Sequence, residues 1–163
     1  MYLTFAEKPF YISEFKSPKM REYPTQPVVG VGAVIVQDGM ILLVKRGNEP
    51  NKNMWSIPGG IVKVGESLIE ALKREVEEEV GLKVEVDDVA CVSEEIVEED
   101  GRIRFHYVII DFFAHIVGGE LKPNSDALDA RWVPMDELND IEVVDFVKKL
   151  VNRLKNGGSI FLK

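Results

Sequence analysis

Apolar residues recur along this chain with two different periods, and the switch between them marks the elements. Residues 28–36 read VVGVGAVIV and residues 40–45 read MILLVK. Short apolar runs rich in β-branched residues predict strands, and the intervening Gln37-Asp38-Gly39 predicts a tight turn, so the two runs form a β-hairpin. Gly30 and Gly32 are expected to admit a neighbouring backbone rather than to cradle phosphate, because no helix start follows them. From residue 68 the period changes. Leu68, Ile69, Leu72, Val76 and Val80 recur every three or four residues and predict one buried helical stripe. Ser67 and Glu70 form a capping box at its start, and Gly81 supplies the left-handed residue that ends it.

Beyond that helix, residues 84–97 and 102–117 predict two long strands joined by Glu98-Glu99-Asp100-Gly101. The second strand alternates Ile103, Phe105, Tyr107 and Ile109 with Arg104, His106, Val108 and Ile110, and becomes apolar on both faces toward its end. A strand of that kind is expected between layers. Residues 135–138 predict a short helical turn. Residues 142–155 predict an amphipathic helix with Val144, Val147, Val151 and Leu154 inward. This order predicts an α/β fold, a mixed sheet between helices, in one domain over residues 28–155. Residues 156–163 form a tail whose Ile160, Phe161 and Leu162 fold back. Residues 1–27, with Phe5, Phe10, Tyr11, Phe15 and four prolines, are too apolar for a solvated tail. They are expected to pack on the domain or to serve as an arm in a homodimer.

Charge narrows the choice of partner. Lys and Arg number 20 against 28 Asp and Glu, a net charge of −8. That balance argues against broad binding to nucleic acid or to anionic membranes. The longest apolar run is too short to span a bilayer, and no basic segment precedes an apolar one as in a signal peptide. The lone cysteine, Cys91, lies among apolar neighbours as a core filler, and a cytoplasmic setting is expected. A small anionic substrate would then need a cation to bridge it to an acidic protein.

The helix supplies a place for one. Glu66, Glu70 and Glu77 are expected to face solvent with Lys73 and Arg74. Glu75, Glu78 and Glu79, related as i, i+3 and i+4, lie together on the flank beside the apolar stripe. Three carboxylates at the edge of a core would repel one another unless a hard cation lay between them. With no Cys or His cluster nearby, Mg²⁺ or Mn²⁺ suits them better than zinc. Arg74 is expected to pair with Glu70 or Glu78 and to orient a ligand. Arg46, at the end of the second strand, is placed to clamp phosphate. Trp55 is expected in the core, and the two histidines, His106 and His115, as packed or hydrogen-bonded residues.

The stretch as a whole is more specific than a charged helix. Gly60, five residues, Glu66, seven residues, and then Arg74-Glu75-Val76-Glu77-Glu78-Glu79-Val80-Gly81-Leu82 resembles the signature of the Nudix hydrolases at every specified position. The resemblance covers residues 28–155 and implies an α/β/α sandwich. It also implies metal-dependent hydrolysis of a nucleoside diphosphate derivative, with the backbone carbonyl of Gly59 as a further metal ligand. Asp126 or Asp129, before Trp132, would complete the metal site or act as base, although glutamate is the commoner type there. Phe105 and Tyr107 are candidates for contacting substrate. The segments WSIPGG, KVGES, RFHYVIIDFFA and DARWVPMDEL look most like the ADP-ribose pyrophosphatase branch, whose products are AMP and ribose 5-phosphate. Against that branch, no proline stands some sixteen residues beyond the box. The rival readings are a nucleoside-triphosphate pyrophosphohydrolase and a nucleotide-binding module without activity.

Overall fold

The computed structural model of the chain describes residues 21–159 and 161–162. Most of the expected N-terminal arm, including Phe5, Phe10, Tyr11 and Phe15, lies outside the described residues, as does Ile160. The strands form two sheets within one layer. The first runs β5–β1–β7–β6–β9 and the second holds β2, β3 and β4, with β8 on the other side of β3. In these, β1 is Val28–Val34, β2 Val36–Gln37, β3 Met40–Arg46, β4 Trp55–Ser56 and β5 Gly59–Ile61. Helix α1, Leu68–Val80, follows. Then come β6 (Leu82–Glu99), β7 (Arg102–Gly119), β8 (Ala127–Pro134), helix α2 (Asp145–Asn156) and β9 (Phe161–Leu162).

Alternation along the strands shows how the layers stack. Leu42 and Val44 pack in one apolar cluster with Leu72, Val76 and Val80 of α1, whereas Ile41 and Leu43 pack in a second with Val147, Leu150 and Val151 of α2. The strands are buried on both faces, which is why they read as continuous apolar runs rather than alternating ones. The result is an α/β/α sandwich with a mixed first sheet: β1 pairs antiparallel with β5 and parallel with β7.

The expected hairpin is only partly formed. Asp38 and Gly39 do make the turn, at φ 50° and 77°, but the strand before it switches sheets at Ile35. Val34 pairs with Phe113 of β7, while Val36 pairs with Ile41 of β3. The long hairpin extends further than expected, each strand running 18 residues. The Asp100-Gly101 turn, with both φ angles positive, matches the twist of the flanking strands. Residues 142–144 are extended rather than helical, because Trp55 donates to the Glu142 carbonyl (2.8 Å) and accepts from the Val144 N–H (2.9 Å). The short helical turn falls at Leu138–Asp140.

Helix α1 spans the expected residues, with both hydrogen bonds of the Ser67–Glu70 capping box and with Gly81 at φ 71°. Its buried stripe is Ala71, Leu72, Val76 and Val80, and Ile69 lies on the shoulder at 40% exposure, not inside as expected. The far end of the chain folds back as anticipated, β9 pairing parallel with β6. Residues 22 and 23 dock on the long hairpin. The Tyr23 N–H donates to the Arg104 carbonyl (2.8 Å), its hydroxyl to Glu99 (2.9 Å), and Arg104 pairs with Glu22 (3.0 Å).

The cap gives a first prediction. Ser67→Ala leaves the Glu70 N–H without its hydroxyl acceptor and should cost about 1 kcal/mol, read as a lower urea midpoint at unchanged m-value.

Candidate active site

Strand β5 is an edge strand made almost without side chains, and α1 lies against it. That pairing brings carboxylates to a backbone. The Gly59 N–H donates to Glu79 Oε2 at 2.9 Å. A Cβ on Gly60 would overlap the Glu75 carboxylate, and one on Gly59 would overlap the Val31 carbonyl. Glycine is therefore required at both positions by close approach.

Arg74 organises the rest. Its guanidinium grips Glu66 with two bonds, Nε to Oε1 at 2.7 Å and Nη2 to Oε2 at 2.9 Å, and Nη2 also reaches the Ile61 carbonyl at 3.1 Å. Nη1 holds Glu75 at 2.5 Å and touches Glu78 at 3.4 Å. Glu66 is thus not a solvent residue, and Arg74 does not pair with Glu70, whose carboxylate serves the cap. A planar fork makes such a bidentate grip; a point charge would not. The paired guanidinium and the Lys63 N–H hold the Glu66 carboxyl down at about 2.

Glu79 shows the opposite effect. Burial, with Glu75 and Asp126 nearby, pushes its carboxyl up to about 7, against the opposing pull of the Gly59 N–H and Arg46. A buried carboxylate with one N–H partner, facing two more acids, is electrostatically unfinished. The donors are all oxygen, the chemistry of a hard divalent cation. Among the described residues no three His, Cys, Asp or Glu side chains are yet gathered closely enough to chelate an ion. Glu78, half exposed and turned to Arg74, is the flank member that stands apart.

A cleft open to solvent runs from Glu75 and Glu79 along the first sheet. Arg46 lines it, steadied by its Nε bond to the Pro50 carbonyl (2.9 Å), as do Gly59, Tyr107 and Asp126. Arg74, Glu78, Phe105 and Asp129, also expected at the site, do not. Phe105 is 2% exposed and packs on Tyr107 with ring centroids 6.1 Å apart, so it supports the wall from inside. Asp129 is exposed on β8 opposite Lys45 and accepts from the Ala130 N–H (2.8 Å). His106 and His115 meet Glu94 and Asp87 away from the cleft. Trp55 is in the core as expected, with Arg131 stacked 4.2 Å from its ring centre. Cys91 is buried, its thiol pushed up to about 12 mainly by burial. The sequence reading missed Asp111, which lines the cleft floor. Its signal was one acid inside the apolar run YVIIDFFA.

A helix carrying Glu75, Glu78 and Glu79 against a glycine strand, inside an α/β/α sandwich, defines a class as well as a geometry. Residues 26–154 match the NUDIX domain. The chain belongs to the Nudix family, whose members generally work with divalent metal ions. It is 38% identical over 112 residues to an ADP-ribose pyrophosphatase of Methanocaldococcus jannaschii, covering 69% of this chain and 64% of that protein. It is 34% identical over 102 residues to a human 8-oxo-dGDP phosphatase, covering 60% of this chain and 29% of that one. A MutT Nudix hydrolase from Burkholderia pseudomallei superposes with a TM-score of 0.71 at 33% identity, covering 79% of this chain and 98% of that one. No helix among the described residues is long and apolar enough to cross a membrane.

The Glu66–Arg74 grip predicts acid sensitivity. A carboxyl depressed in the folded state stabilises above its unfolded value and loses that contribution as pH falls toward the folded one. Between about pH 4.5 and 2 the wild type should therefore lose stability more steeply than Glu66→Gln, read as melting temperature against pH.

Proposed function

We propose that the protein hydrolyses the phosphoanhydride of ADP-ribose to AMP and ribose 5-phosphate, with Mg²⁺ or Mn²⁺, in the cytoplasm. The observation that carries this reading is the buried Glu79 carboxylate. It lies beside Glu75 in a cleft that also presents Arg46. The similarity to the archaeal ADP-ribose pyrophosphatase supports the choice of substrate.

In this reading Glu75 and Glu79, with Glu78 turned inward from Arg74 and the Gly59 carbonyl, would hold the cation. When bound, the cation supplies the positive charge that neutralises phosphate oxygens and eases deprotonation of water. The chain's own residues do the positioning. The Gly59 N–H fixes the Glu79 carboxylate. Arg74, anchored on Glu66 and the Ile61 carbonyl, fixes Glu75. Arg46 contacts phosphate, Tyr107 walls the substrate, and Asp126 adds negative charge beside Glu79. Water adds to phosphorus, the anhydride P–O bond breaks, and the two monophosphates leave. Arg74 and the three glutamates thus form the catalytic group.

A panel of nucleotides with Mg²⁺ or Mn²⁺ and product identification tests the reading. Equimolar AMP and ribose 5-phosphate from ADP-ribose is expected. Pyrophosphate from an 8-oxo-purine triphosphate, with ADP-ribose untouched, would favour the triphosphate reading instead. Glu78→Gln and Glu79→Gln should each lower turnover by about 10²–10³-fold or more with the circular dichroism of the fold retained. If no nucleotide is turned over before or after the change while binding persists, the domain is a binding module instead.

A further inference from the structure

The cleft floor holds a polar group that hydrolysis at Glu75 and Glu79 does not use. Among the described residues the buried polar or charged side chains are Ser56, Ser93 and Asp111. All three line this cleft or the adjoining space that shares Arg46, Ile109 and Phe146 with it. Asp111 is 1% exposed, in the middle of β7. Among the described residues its Oδ2 meets only the weak donor Cys91 Sγ, at 3.5 Å, and its Oδ1 has no hydrogen-bond partner. Asp111 sits opposite Gly32 of β1, and a Cβ on Gly32 would overlap Oδ1. The sheet has therefore given up a side chain at residue 32 to seat this carboxyl.

A buried carboxyl with an unmade hydrogen bond costs stability. Burial pushes its pKa up to about 7, so near neutral pH it is ionised only in part. A packing role alone would be met better by leucine or valine, as at the neighbouring Ile109 and Ile110. The walls around it are apolar: Ile57, Ile109 and Phe146. An apolar slot with one convergent polar group suits a flat heterocycle that must be oriented. Gly32 is paired in turn with Gly59, so Asp111 lies two strand spacings, about 10 Å, from the backbone that holds Glu79. A ribose can bridge that gap between a phosphate and its base.

We propose that Asp111 is a specificity-determining residue that accepts a hydrogen bond from the exocyclic amino group of the substrate's nucleobase. The inference rests on the hydrolase reading for the substrate class but not for the contact itself. The occupant is a base with an exocyclic amine, which for ADP-ribose is adenine.

The test compares adenine with hypoxanthine, in which a carbonyl oxygen replaces the amine. With Mg²⁺, kcat/KM is measured on the full chain for ADP-ribose and inosine diphosphate ribose, and Kd by calorimetry for AMP and IMP. The wild type should favour the adenine member by about tenfold or more. Asp111→Asn keeps the shape but adds an amide donor, and should erase or reverse that preference. A preference equal in wild type and variant would overturn the proposal. Should Asp111→Asn not fold, the wild-type comparison decides alone, since equal Kd values for AMP and IMP also overturn it. If neither diphosphate is cleaved while AMP is bound in preference to IMP, the hydrolase reading fails and the Asp111 contact stands.

Discussion

Everything at this site depends on a helix flank of carboxylates pressed against a strand that has no side chains to resist it. Gly59 and Gly60 let Glu79 and Glu75 approach the backbone, and the Gly59 N–H is the one hydrogen bond Glu79 receives among the described residues. Bringing negative charge so close to a core costs free energy, which is visible in the raised pKa of Glu79. Arg74 offsets part of that cost. By gripping Glu66 and the Ile61 carbonyl it ties the loop, the edge strand and the helix together, then presents its remaining nitrogen to Glu75 and Glu78.

The same residues explain why the fold must be a sandwich. Helix α1 can lay its flank on β5 only if its buried stripe has a sheet face to cover, and Ala71, Leu72, Val76 and Val80 find one in Val31, Ala33 and Phe112. On the other face α2 and Trp55 close the layer, and in the cleft floor Ile109 and Asp111 of β7 stand beside Gly30 and Gly32 of the neighbouring strand. Packing, rather than helix propensity, sets where the carboxylates stand.

Local signals made the helix and its caps legible in the sequence, because a capping box and a terminal glycine act within a few residues. The Asp38-Gly39 turn was legible for the same reason. What depended on distant partners was not. The sheet switch at Ile35 needs β7, some eighty residues away, to claim Val34. Periodicity assigned Glu66 to solvent because it counts positions on a helix, whereas Glu66 precedes the helix and is recruited by Arg74. Strand alternation put Phe105 and Tyr107 on one face without saying that only Tyr107 borders the cleft. Asp126 and Asp129 were equivalent in sequence, and the strand β8 separates them by starting between them. Asp111 stands in the sequence as one acid in an apolar run, and what seats it is Gly32, a glycine some eighty residues earlier in the chain.

The central claim is that Glu75 and Glu79 are poised for a divalent cation. A Mn²⁺ titration followed by electron paramagnetic resonance tests this without any substrate. The account predicts saturable Mn²⁺ binding by the wild type, displaced by Mg²⁺ and strongly weakened in both Glu75→Gln and Glu79→Gln. Binding of equal strength in all three proteins would contradict it.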